Sequence, residues 1–104
     1  MKRIIAPSIL SANFLELGKD IEMINQSEAE WIHYDVMDGV FVPNISFGIS
    51  ILEQVYQVTQ KPLDVHLMIA DPTHYIIPFK NAGAANITVH YETCVHLNRT
   101  INLI

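Results

Sequence analysis

Four short runs rich in β-branched residues alternate with four stretches whose apolar residues recur every three or four positions, and few architectures satisfy that alternation. "RIIAPSIL" predicts a first strand over roughly residues 3–9. "WIHYDV" predicts a second, "PLDVHLMI" a third and "ANITVHYE" a fourth. Between them, Phe14, Leu17, Ile21 and Ile24 make one helical stripe, and Ile51, Leu52, Val55 and Val58 make another. Tyr75, Ile76, Phe79 and Ala82 make a third, stopped by Gly83, and Leu97, Ile101 and Ile104 begin a fourth. The connections are too long for hairpins. Parallel strands joined by right-handed crossovers are therefore expected, and the class is α/β.

Local signals refine this outline. Asn13 followed by Glu16 reads as a capping pair for the first helix. Asp71-Pro72 reads as the start of the third, with the carboxylate as cap and the proline at the first helical position. Pro78 then falls inside that helix, where a missing hydrogen bond costs about 3 kcal/mol unless the helix kinks. The fourth stripe reaches residue 104 without a glycine or basic stop. A four-unit βα array also leaves two open strand edges. We expect residues 1–104 to be an array cut short, with no second domain, and the open edges to favour a homo-oligomer.

Composition narrows the function classes. Half of the residues are hydrophobic and 16% are charged, so the chain builds a core. A net charge of −5, with no Lys/Arg cluster, argues against nucleic acid and anionic membrane as partners. A lone Cys94 excludes an internal disulfide framework and fits a reducing compartment. The apolar run of "MKRIIAPSIL" is too short for a signal peptide and is broken by Pro7. No apolar stretch approaches the roughly 20 residues that span a bilayer. A soluble cytoplasmic protein is expected.

The chemistry lies in the strands. Alternation puts His33 and Asp35 on one face of the second strand, away from Ile32, Tyr34 and Val36. On the third strand Asp64, His66 and Met68 share a face; on the fourth the polar set is Thr88, His90 and Glu92, and Ser8 extends the pattern to the first. In parallel α/β folds ligands bind at the C-terminal ends of the strands, where these groups collect. Two histidines and a carboxylate converging there suit a divalent transition metal. His90 fits a hydrogen-bonded core residue as well as a ligand. His74 and His96, on predicted helices, are expected in solvent, and Cys94 is expected to be inert. Met37 and Met68 fit core filler as well as a site wall.

"APSILSANF", "HYDVMDGVFVPNISFG", "DVHLMI" and "NAGAANITVHYE" together resemble the N-terminal half of the ribulose-phosphate 3-epimerase family over essentially all 104 residues. The resemblance implies a (β/α)8 TIM barrel, of which about four units are present here; a full barrel needs at least about 200 residues. It implies interconversion of ribulose 5-phosphate and xylulose 5-phosphate in the pentose phosphate pathway. By matching position, it implies His33, Asp35 and His66 as ligands of one divalent ion, whether zinc, manganese, iron or cobalt. It implies Asp35 as a catalytic acid/base carboxylate, Ser8 and His66 as substrate contacts, and Met37 and Met68 as site lining. The family's second acid/base aspartate, on the seventh strand, and its phosphate-binding glycine loops fall outside these residues. Two alternatives stay open: a catalytically silent half-barrel that binds metal or self-associates, and an epimerase acting on allulose 6-phosphate.

Overall fold

The computed structural model describes residues 3–104; Met1 and Lys2, the charged start of "MKRIIAPSIL", lie outside the described residues. Three parallel strands, β1 (Ile32–Met37), β2 (Leu63–Met68) and β3 (Ala84–Thr88), form one sheet in the order β1-β2-β3. Four helices alternate with them: α1 (Leu17–Asn25), α2 (Ile49–Val58), α3 (Ile76–Ala82) and α4 (Leu97–Leu103). The α/β class is as expected. No helix among the described residues is long and apolar enough to cross a membrane.

The two-residue alternation of the strands sorts core from site. Ile32, Tyr34 and Val36 from β1 and Leu63, Val65 and Leu67 from β2 are buried with Ile21, Leu52, Val55, Ile76 and Phe79 from the helices. The register places His33 beside Asp64, Asp35 beside His66, and Met37 beside Met68 on the opposite face. That face is only half-buried apart from Asp35.

The first expected strand does not form. Residues 4–8 run beside β1, yet they contribute one isolated bridge, Ser8 to His33. Glu30 and Trp31 donate their amides to Ile5 O, and His33 donates to Pro7 O at 2.8 Å. Pro7 has no N–H to return, and the Ile5 amide is taken by the Glu30 carboxylate at 2.6 Å, so the ladder stays incomplete. The fourth expected strand is shorter than "ANITVHYE". β3 stops at Thr88, and the chain turns through a short 3-10 segment at Tyr91–Thr93.

Two helix starts and one docking face also differ from expectation. Asn13 does cap, accepting from Leu15 N, but the side chain that reaches back to its own amide is Asp20 at 2.8 Å and not Glu16. Asp71 makes no side-chain cap and adopts a left-handed backbone, φ 46°. Pro72 opens a 3-10 turn, Pro72–Tyr75, and the α-helix begins only at Ile76. Pro78 therefore sits in the first turn of α3, where amides lack intrahelical partners and its missing N–H costs little. On α4 the expected apolar stripe points outward: Leu97, Ile101 and Ile104 are exposed. The helix docks instead through buried Thr100, whose hydroxyl meets that of Thr73 at 2.7 Å.

The loop between β1 and α2 closes over the strand ends. Gly39 adopts φ 76°, and a Cβ there would stand 2.8 Å from the Ile45 side chain. Ser46 staples the loop to β1, its hydroxyl donating to Asp35 O at 2.7 Å and accepting from Met37 N at 2.9 Å. Asp38 accepts from Val40 N and Phe41 N through Oδ1, and from Ala70 N at 2.8 Å through Oδ2. These amides, that of Ala70 foremost, hold the Asp38 carboxyl below the usual carboxylate range.

Two predictions follow from this packing. The buried Tyr34 hydroxyl donates to Gly48 O, and burial pushes its ionisation well above the usual value near 10. Because the folded value is raised, the stabilisation is complete below about pH 10 and is lost as pH climbs beyond it. Tyr34→Phe should cost about 1 kcal/mol at neutral pH and flatten that alkaline loss, as read by urea melts across the range. For Asp38 the sign is opposite. Its stabilisation is present above about pH 4 and is lost as pH falls through the depressed folded value. Asp38→Asn should melt below the parent at neutral pH, with the gap closing in acid; a gap independent of pH contradicts this account.

Candidate functional site

Asp35 is the centre of the polar face. Its Oδ1 lies 2.9 Å from His33 Nε2 and 3.1 Å from His66 Nδ1. Its Oδ2 accepts the Ser8 hydroxyl at 2.6 Å. Strand alternation brings His33 and Asp35 to the same side, and the β1–β2 register brings His66 alongside. Ser8 arrives through its bridge to His33, at the cap of a short 3-10 turn over Ile9–Ser11. Asp35 is only 9% exposed, so these side chains stand where water would otherwise solvate its carboxylate.

Ligand atoms of His33, Asp35 and His66 all lie within 4.8 Å of one another, a possible metal-binding group. At bond lengths near 2.1 Å, neighbouring ligands of a divalent ion stand about 3.0–3.4 Å apart, close to the spacings around Asp35 Oδ1. His33 gives a second indication. Its Nδ1 lies 2.9 Å from Asp64 Oδ2 while its Nε2 faces Asp35, so one imidazole stands between two carboxylates. A neutral ring has a single N–H and satisfies only one of them. A cation held by Nε2 and Asp35 would satisfy the other, and Asp64 would then hold the remaining proton on Nδ1.

The other expected residues fall around this cluster. Met37 and Met68 are neighbours on the same face, both half-buried, with Met37 Sδ 3.7 Å from Asn44 Nδ2. His90 lies past the end of β3, and its Nε2 is 2.7 Å from His66 Nε2. Glu92 belongs to the 3-10 turn and is exposed; His74 and His96 are also exposed. Cys94 donates to His90 O at 3.3 Å. A cavity of about 360 Å³, lined by Met37 and Asp38 together with Val36, Ile49, Ile69 and Phe79, contains none of the cluster's histidines.

Asp64 and Asn86 are site residues that sequence reasoning leaves without a role. Asp64 Oδ1 accepts Asn86 Nδ2 at 2.7 Å while Oδ2 holds His33, so a chain of contacts crosses all three strands. Alternation puts Asp64 on the correct face. The cue to its role is the mirrored order of "HYD" and "DVH", which in parallel register sets each histidine beside a carboxylate.

The sequence profile of the Ribulose-phosphate 3 epimerase family matches residues 4–104. A ribulose-phosphate 3-epimerase of Bacillus subtilis is 56% identical over 100 residues, covering 96% of this chain and 46% of that protein. One from Synechocystis is 50% identical, covering 94% and 44%. A chloroplastic ribulose-5-phosphate-3-epimerase of Arabidopsis thaliana is 48% identical, covering 97% and 37%. The chain thus spans less than half the length of these curated relatives. A family profile that matches residues 4–104, and relatives this similar across nearly the whole chain, show that it belongs to the ribulose-phosphate 3-epimerase family.

Proposed function

We propose that this chain is the base-bearing half of a ribulose-phosphate 3-epimerase, interconverting D-ribulose 5-phosphate and D-xylulose 5-phosphate by proton transfer at C3. The observation that carries the reading is the single Asp35 oxygen set between His33 Nε2 and His66 Nδ1 at 2.9 and 3.1 Å. Those three residues would hold one divalent ion, whether zinc, manganese, iron or cobalt. The chemistry such an ion supplies is Lewis-acid stabilisation of the negative charge that gathers on the substrate's oxygens when C3 loses its proton.

Asp35 performs the proton transfer on one side. Its Oδ1 is committed to the imidazoles, so Oδ2 is the oxygen that takes the proton from C3. Ser8 orients Oδ2 through its hydroxyl and, with His66, is placed to meet the substrate's hydroxyl groups. Met37 and Met68 form an apolar wall beside the carboxylate. Epimerisation needs a second acid to return a proton on the opposite face. Asp64, the other carboxylate of the cluster, lies two residues before His66, toward the N-terminal end of β2 and away from the strand ends where ligands bind; there it holds His33 and Asn86. The second carboxylate is expected on the later strand that the family resemblance implies. The reading places the protein in the pentose phosphate pathway, in the cytoplasm, as a homo-oligomer.

The placement of Asp64 away from the strand ends also favours a second reading for the chain by itself, a metal-binding half without turnover. Solvent exchange at C3 separates the two. In D2O with manganese added, the chain should place deuterium at C3 of ribulose 5-phosphate, and Asp35→Asn should lower the rate at least about 100-fold. Label in both pentulose phosphates would mean that self-assembly supplies the second acid. A folded, metal-loaded chain that incorporates no label would establish the silent half.

A further inference from the structure

We propose that His90 is a positioning residue that sets the tautomer of His66; this rests on the metal reading above. His66 uses both ring nitrogens, Nδ1 toward Asp35 Oδ1 at 3.1 Å and Nε2 toward His90 Nε2 at 2.7 Å. At that separation the two Nε2 atoms share one proton, so one ring donates and the other accepts. An imidazole that offers the Nδ1 lone pair to a cation carries its proton on Nε2. His66 is then the donor. His90 must accept, with its own proton on Nδ1.

The surroundings hold His90 in place for that task. Its ring packs against Phe41, with centroids 5.0 Å apart. Its carbonyl accepts from Thr93 N at 3.0 Å, Thr93 Oγ1 at 2.7 Å and Cys94 Sγ at 3.3 Å, which fixes the backbone where β3 ends. His90 itself stands in extended backbone directly before the 3-10 turn at Tyr91–Thr93. The cluster is thus supported from both sides, by the Asp64 carboxylate behind His33 and by the His90 imidazole behind His66. Outer partners of this kind orient a ligand and raise its basicity, and their loss typically weakens metal binding about 10–100-fold.

The test is zinc affinity, measured by chelator competition, for the parent chain, His90→Phe and His90→Gln. The phenyl ring keeps the packing on Phe41 but cannot accept a hydrogen bond; the glutamine Oε1 can. His90→Phe should bind zinc about 10–100-fold more weakly, and His90→Gln should recover most of that loss. Imidazole 15N spectra of the zinc-loaded parent give a second readout that needs no variant. They should show His66 protonated on Nε2 and His90 on Nδ1. Undiminished affinity in a folded His90→Phe chain, or a His90 proton on Nε2, overturns the proposal while leaving the metal reading intact. Zinc bound directly to His90 also overturns it. A parent chain that binds no zinc overturns the metal reading and this proposal together.

Discussion

A carboxylate removed from water in the middle of a strand needs partners, and the architecture around Asp35 exists to supply them. Its contacts arrive from three places: His33 two residues away on the same strand, His66 across the β1–β2 register, and Ser8 from the segment beside β1. Each depends on a different level of order. The first needs only strand alternation, the second needs parallel pairing without a slip, and the third needs the N-terminal segment to dock. A one-residue slip would turn His66 toward the helices and bring an apolar side chain to the carboxylate. The register that seals the core is therefore the same one that neutralises the site.

What the sequence made legible follows from periodicity. Period two on β1 and β2 separated Ile32, Tyr34, Val36, Leu63, Val65 and Leu67 from His33, Asp35, Asp64 and His66, and the structure buries the first set behind the helices. The stripe containing Leu52 and Val55 located α2 in the same way, although Val58 at its end is half exposed. Family motifs and face assignment together identified the cluster of His33, Asp35 and His66.

What was not legible depended on competition between partners. The β-branched run at Ile4 and Ile5 has strand propensity, but Pro7 and the Glu30 carboxylate divert its hydrogen bonds. Asp71-Pro72 has the composition of a helix start, yet the left-handed Asp71 directs the chain into a 3-10 turn first. Asp20 displaced Glu16 as the reciprocal cap because α1 begins only at Leu17, after its own 3-10 turn. On α4, the threonine pair set the docking face against the apolar stripe. Asp64 was assigned the correct face without a purpose. A carboxylate behind a histidine becomes visible only when two strands are laid side by side.

The backbone amides gathered by Asp38 have a consequence for motion. One carboxylate oxygen holds the loop after β1 through Val40 and Phe41, and the other holds Ala70 after β2. Phe41 lies against His90, which follows β3. Three successive connections at the rim of the site are therefore joined through a single side chain and the ring it positions. A displacement of one connection is felt by the other two, because the same carboxylate and ring hold them.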